Sequence, residues 1–285
     1  MKFIVDLQNE NNMSEYNVDG FILNSSLYSC FNGVTYSLDE INRISKKVKK
    51  LNKLVLINLD AIIEETDISS LKEYVNSLEE YDYIIFSDMA FVNMAIETNK
   101  LFYNPNTLVA SSYEKSIFDE MGINSFIANE LSEDEIMSIS KKTKINMMVY
   151  GYHQMMYSFR PLLSLYNEFV QENKDLVGKL FYLKEELRED KYLVFQSNKG
   201  TFVYTSYIYA AFKELLSFRN ALDFVRFNGA FIEKEKMIKV IELYHRLFNC
   251  EEVNELYNEL IEIESNIDSG FLKESSILLK GDNNG

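Results

Sequence analysis

Short apolar runs of roughly four to eight residues recur along the chain. Each is followed by a stretch with helical periodicity, and no other feature narrows the fold as much. FIVDLQ (Phe3–Gln8) and GFILNSS (Gly20–Ser26) open the series, and SLDEINRISKKVKKLN then reads as an amphipathic helix begun by a Ser37–Glu40 capping box. KLVLINLDAII (Lys53–Ile63) is a third strand, backed by the helix DISSLKEYVNSLEEY; YDYIIFSD (Tyr81–Asp88) is a fourth, backed by AFVNMAIETN. KLFYNP with SSYEKSIFDEM makes a fifth unit, and SFIANELS with EDEIMSISKKT a sixth, where Ser132 and Glu135 repeat the capping pattern. INMMVYG (Ile145–Gly151) is a seventh strand, and LDFVRFNGAF (Leu222–Phe231) with KEKMIKVIELYHRLF an eighth unit.

Strands this apolar have no wet face, so they belong in a parallel sheet covered by helices. Eight strand–helix units point to an α/β fold of the (β/α)8, TIM-type barrel class, with an open doubly wound sheet as the competitor. No linker-like change of composition divides the chain, so residues 1–285 are expected to form one barrel domain. An insertion after strand seven, roughly residues 160–205, contains a helix and an alternating pair around a turn, KYLVFQSNKGTFVYTS. It is expected to lie over the barrel as a helix plus hairpin. Roughly residues 252–285 form an acidic helix, EEVNELYNELIEIESN, and a tail.

The net charge of −15 repels phosphate backbones and anionic membrane surfaces, so a nucleic-acid role would need a local basic patch or a basic partner. Two distant cysteines, Cys30 and Cys250, make neither a disulfide framework nor zinc or iron–sulfur spacing. The start MKFIVDLQNENN has no signal-type apolar region, and no long apolar run follows. A cytoplasmic chain without membrane contact is expected.

In a barrel, chemistry sits at the C-terminal ends of the strands. There the sequence places Asp6, Gln8, Asn24, Asn58, Asp60, Ser87, Asp88, Asn104, Asn129, Glu130, Tyr150, His153, Arg226 and Asn228. Two of Asp60, Asp88 and Glu130 could form an acid–base pair of the glycosidase kind, although Asp88 and Glu130 also stand where helix caps belong. No strand ends in lysine, no glycine-rich phosphate loop occurs, and no GxSxG elbow frames Ser158. His245 lies inside a helix, and His153 alone is a poor metal ligand, so neither a metal site nor another cofactor is expected. If a small ligand binds, Arg226 or Arg160 would hold its carboxylate bidentately. His153 would exchange a proton, Glu130 would orient a neighbour, and Tyr150, Gly151, Asn228 and Asp88 would complete the surface.

GINSFIANELSEDEI (Gly122–Ile136) followed by KINMMVYGYHQMMYSFRPLL resembles the collagenase-like peptidase family, U-thirty-two. Glu130, Leu131 and Ser132 match its strand–helix junction, and Val149, Gly151, Met156 and Ser158 match its next strand. YDYIIFSDMAFV, FVRFNGAFIEKEKMIKVIELY and SGFLKESSILLKG extend the resemblance over nearly the whole chain. Longer members have a glutamate where this chain has Asn146, and cysteines where it has Met155, Met156 and Ser158. The four-cysteine iron–sulfur cluster of some relatives is therefore not expected here. The family name implies proteolysis. Other relatives resemble RNA-hydroxylation proteins that take the oxygen function from prephenate. Gly151, Tyr152, Met155, Ser158, Arg160 and Leu162 resemble the short form found in the smaller partner of a pair that hydroxylates the tRNA wobble uridine. That resemblance implies a larger paralogue as partner, with tRNA reached only through it.

Overall fold

A computed structural model describes residues 1–274 except 95, 173, 188 and 250. The strands of its first half are β1 (Lys2–Asp6), β2 (Gly20–Asn24), β3 (Leu54–Leu59), β4 (Tyr83–Phe86), β5 (Leu101–Tyr103), β6 (Asn124–Ser125) and β7 (Ile145–Gly151). Then come β8 (Gln154–Ser158), β9 (Leu180–Lys184), β10 (Lys191–Ser197), β11 (Gly200–Tyr204), β12 (Ile208–Ala210), β13 (Leu222–Phe227) and β14 (Ile267–Asp268). The helices are α1 (Leu38–Lys50), α2 (Ile68–Asn76), α3 (Ser112–Glu120), α4 (Glu133–Ser140), α5 (Leu162–Phe169), α6 (Leu215–Phe218), α7 (Lys234–Phe248) and α8 (Val253–Ile263). Ser37 and Ser132 close the expected capping boxes, and Ser111 with Glu114 closes a third.

A ten-stranded sheet runs in the order β14-β12-β7-β13-β1-β2-β3-β4-β5-β6, parallel throughout except where β12 meets β7. The order of the eight expected strands is that of a TIM-type barrel, but the sheet is a curled half-barrel rather than the closed barrel expected. Between β6 and β7 the ladder reduces to one parallel bridge, Phe126 with Asn146. Farther along β7 its free edge turns to β12, Tyr209 opposite Gly151.

Successive residues on each strand face opposite sides. Phe3, Val5, Phe21, Leu23, Val55 and Ile57 pack into the large cluster shared with Ile41, Ile44 and Val48 of α1 and Met237, Val240 and Tyr244 of α7. Between them, Ile4, Ile22, Leu56, Ile85, Phe102, Phe126 and Phe224 form a separate cluster inside the curl. Phe102 stacks on Phe126 at 4.5 Å and meets Phe224 edge-on at 5.2 Å, so the interior is filled rather than hollow.

Two expectations change. The helix expected over AFVNMAIETN is replaced by the 3-10 turns Met89–Asn93 and Thr98–Lys100. Among the described residues there Phe91 and Met94 are buried, a spacing of three that suits the tighter helix. The insertion is larger than a helix plus hairpin. The β10–β11 hairpin is present, but β8 and β9 flank it in a four-stranded antiparallel sheet, β8-β11-β10-β9. Met155 and Met156 lie on an edge strand of that sheet, which explains why QMMYS lacks the alternation that marks a half-buried strand. The acidic C-terminal helix is α8, and the tail beyond residue 274 lies outside the described residues.

Candidate functional site

The site follows from the period-two rule. On several strands the residue two beyond the interior apolar position is polar: Ile4 leads to Asp6, Ile22 to Asn24, Leu56 to Asn58, Phe102 to Asn104 and Phe224 to Arg226, while Phe126 leads to Ala128. A buried polar layer therefore sits directly on the apolar one, at the C-terminal ends of the strands. Its centre is an ion pair. Arg226 Nη2 donates to Asp6 Oδ1 at 2.9 Å and to Oδ2 at 3.1 Å, and Nε adds a bond of 3.3 Å. Asn24 Nδ2 donates to Asp6 Oδ1 at 3.0 Å, and Asn58 Nδ2 donates to Asn24 Oδ1 at 2.8 Å and to Ser29 Oγ at 3.0 Å. Ser29 Oγ in turn donates to Asp60 Oδ1 at 3.0 Å. The network runs from β13 across β1 and β2 to the end of β3.

Above it lies a cavity of about 40 Å³, room for a few waters, lined by Cys30, Asp60, Asn104, Gln154, Arg226 and Asn228 among others. Nη1 of Arg226 has no hydrogen-bond partner among the described residues. Cys30 is a weak candidate nucleophile. Burial first, and then the Asp60 charge, push its thiol up to about 12, so it stays protonated near neutrality.

A second cavity of about 300 Å³ adjoins the first, sharing Asn106, Asn129 and Gln154 with it. Glu130 and His153 line it, with Asp190, Tyr207 and Phe271. His153 is only 6% exposed and stacks on Tyr209 at 4.0 Å, while its Nε2 is buried without a partner. Burial lowers its pKa to about 3. Such an imidazole stays neutral and serves as a hydrogen-bonding group rather than a proton shuttle near pH 7.

The sign of the resulting pH effect is fixed. An unfolded histidine takes up its proton near 6.5 and the folded one only near 3, so the unfolded state gains protons as pH falls between those values. Stability from this residue is present above about 6.5 and is lost toward 3, at up to about 1.4 kcal/mol per pH unit. His153→Phe should therefore show a shallower fall in urea midpoint from pH 6.5 to 4. An unchanged slope would mean that His153 is solvated.

The other expected site residues are dispersed. Asp88 caps the 3-10 turn after β4, accepting from the Ala90 N–H at 2.9 Å and the Ile63 N–H at 3.2 Å. Glu130 caps nothing; Ser132 performs that role for α4. Arg160 is exposed in the insertion and lines neither cavity. Tyr150 is buried in the helix-facing core, with its hydroxyl unpaired. Gly151 acts through its backbone: φ is +134°, and a Cβ would stand 2.7 Å from Asn228 Cβ and 2.8 Å from Asn228 O. The absence of a side chain thus brings β7 against the β13 end that presents Asn228 to the inner cavity. Gln154 and Tyr204 were missing from the expected rim, because they arrive on the insertion sheet rather than on strands of the large sheet. Among the described residues no three His, Cys, Asp or Glu side chains lie close enough together to hold a metal ion. None of the described helices is long and apolar enough to cross a membrane.

The sequence model of peptidase family U32 matches residues 13–277. The chain belongs to peptidase family U32. Among solved structures, that of the U32 peptidase Mk0906 is 14% identical over 79% of this chain and 91% of its own, with a TM-score of 0.47. A chitinase from Chromobacterium violaceum ATCC 12472 is 6% identical over 88% of this chain and 100% of its own, with a TM-score of 0.38. No curated protein matches.

In this U32 chain Asn146 is committed to the seam of the sheet. Its Nδ2 donates to the Ser125 carbonyl at 2.9 Å, and its Oδ1 accepts from the Phe224 N–H at 3.0 Å. One amide therefore ties β6 and β13 to β7, using a donor and an acceptor that an ionised carboxylate could not both supply. Met155 lines the outer cavity, whereas Met156 and Ser158 lie on β8 opposite Val203 and Thr201 of the insertion sheet.

Proposed function

We propose that this U32 chain is a non-peptidase partner subunit, working with a larger paralogue in prephenate-dependent hydroxylation of the tRNA wobble uridine. The observation that supports partnership most directly is the apolar surface of the insertion. Helix α5 buries none of its residues: Leu165 and Tyr166 are exposed, and Phe169 is 84% exposed. Elsewhere in the insertion Met156, Phe159, Tyr182 and Leu183 are exposed, and Leu187 is 96% exposed. Large apolar side chains left exposed along one helix are the kind of surface that protein partners cover. The chain's net charge of −15 favours RNA contact through the partner rather than through this subunit.

In this reading Arg226, with its unpaired Nη1, and Asn228 would present hydrogen-bond donors to a ligand carboxylate. The peptidase reading rests on the family name alone. Cys30 is held protonated, and Asn146 occupies the place of the glutamate with its amide tied off.

Replacing both Leu165 and Phe169 by glutamate should leave the fold intact, since both side chains are exposed. It should weaken binding to the larger paralogue by about 30-fold, the loss expected for an apolar hot spot of about 2 kcal/mol. A pull-down measures this. Mass spectrometry of tRNA from a deletion strain tests the reaction: unchanged hydroxyuridine would overturn it, as cleavage of gelatin by the purified chain would favour the peptidase.

A further inference from the structure

Two deeply buried side chains reach the inner cavity with polar atoms that the protein leaves unpaired. Arg226 is only 5% exposed, and its Nη1 has no partner, although Nε and Nη2 both bond Asp6. Asn104 is 7% exposed, and its side-chain amide makes no hydrogen bond at either atom; only its backbone groups are paired, with Phe86 and Ser87. Unlike Nε2 of His153, none of these atoms is sealed off, so a group in the cavity can reach them. Buried polar groups are nearly always paired, and two such side chains aimed into one pocket mark a place for a ligand.

The charges in the lining narrow the ligand's chemistry. Arg226 is the cavity's one cation and Asp60 its one carboxylate. Asp6 already matches the guanidinium, at 2.9 Å. Asp60 forms no ion pair among the described residues. The two hydrogen bonds it accepts, from Ser29 Oγ at 3.0 Å and the Cys30 N–H at 2.7 Å, both end on Oδ1 and leave Oδ2 free. Lys199, whose charge is felt at Cys30, donates its Nζ to the Leu27 carbonyl instead. In the sheet order Arg226 ends β13, Asp60 follows β3 and Asn104 follows β5, so the three reach one pocket from different sides. Asn228 adds a free Nδ2, because its Oδ1 accepts from the Ala230 N–H at 2.9 Å. A bare carboxylate would suit the three donors but set a second negative charge beside Asp60. A bare cation would suit Asp60 but leave Nη1 unmatched. A group with both charges on neighbouring atoms satisfies both sides.

We infer that the inner cavity holds the head group of a zwitterionic α-amino acid, its carboxylate on Arg226 Nη1, Asn228 and Asn104 and its ammonium on Asp60 Oδ2. At about 40 Å³ the pocket has room for a head group of a few heavy atoms. The side chain leaves toward the outer cavity of about 300 Å³, with which the inner one shares Asn106, Asn129 and Gln154. The assignment rests on the reading of Arg226 and Asn228 as carboxylate donors and adds the ammonium and its partner Asp60.

A thermal-shift screen of the full chain against the common free L-amino acids and their 2-hydroxy analogues, followed by isothermal titration of the best binders, tests the assignment. An amino acid should bind saturably. Its 2-hydroxy analogue, which keeps the carboxylate and lacks the ammonium, should bind about tenfold more weakly, and so should its primary amide, which lacks the carboxylate. Asp60→Asn should weaken the amino acid about tenfold and tighten the 2-hydroxy analogue, because it removes a like charge from beside the carboxylate. Asn104→Ala should weaken both with little loss of melting temperature, since the Asn104 amide bonds nothing in the protein. Binding of no amino acid, or equal binding of one by the Asp60→Asn chain, overturns the assignment. A 2-hydroxy acid that binds as tightly as its amino acid also overturns it, while leaving the carboxylate reading of Arg226 standing. Since no paralogue or tRNA enters this experiment, the tRNA measurement decides the partner-subunit reading separately.

Discussion

Arg226→Met should destabilise the protein by about 3–5 kcal/mol, the cost of leaving one member of a buried ion pair unmatched. Asp6 has no exposed surface and Arg226 only 7% of its side chain. Without the guanidinium, Asp6 would keep only the Asn24 amide at 3.0 Å and the distant Gly229 N–H at 3.4 Å. The anion would remain in a place that water does not reach. The control is the double variant Asp6→Leu with Arg226→Met, which removes both charges and fills the space with apolar volume. Such replacements are often neutral, so the double variant should recover most of the loss. Urea denaturation of the two single variants and the double one completes the cycle. A loss below about 1 kcal/mol for Arg226→Met would mean that water reaches Asp6 from the inner cavity.

The second large effect is expected at Asn146, which is 3% exposed. Asn146→Leu leaves the Ser125 carbonyl and the Phe224 N–H without their partner. At about 1–3 kcal/mol per orphaned group, less what the added apolar volume returns, the net cost is about 2–4 kcal/mol. Asn146→Asp discriminates further. An aspartate can still accept from Phe224 but cannot donate to Ser125 unless protonated. Its penalty should be largest near pH 7 and shrink as the carboxyl is protonated at lower pH, the direction expected when the folded state favours the neutral acid. Equal penalties for the aspartate variant at pH 7 and pH 5 would show that the Ser125 bond contributes nothing.

Much of the scaffold was legible because helix caps and strand periodicity are local. Ser37 with Glu40 and Ser132 with Glu135 announce α1 and α4 within four residues, and the apolar runs mark β7 to the residue and β1 to β4 with ends two to four residues too long. Ser111 with Glu114 carried the same signal for α3. Local signals failed where burial came from elsewhere. AFVNMAIETN has helical composition, yet its buried described residues, Phe91 and Met94, are three apart, and QMMYS becomes a strand only because β11 is beside it.

The site divides along the same line. Strand periodicity alone puts Asp6, Asn24, Asn58, Asn104 and Arg226 at inward positions one step above an apolar layer, and all five stand on the expected rim. Their partnerships were not local. Asp6 and Arg226 are 220 residues apart in the chain and meet because β13 pairs with β1. The difference has consequences for function: it turns Arg226 from a free ligand anchor into half of a buried pair with one unpaired nitrogen. His153 changed in the same way, from a rim histidine with an ordinary proton affinity to a neutral ring sealed against Tyr209. Residue type and spacing determined which side chains could face the mouth of the sheet, since those properties follow from backbone geometry over a few residues. Which charges are matched, which nitrogen is left without a partner and which cavity each residue lines were decided by chain closure and desolvation, which exist only once distant strands are packed together.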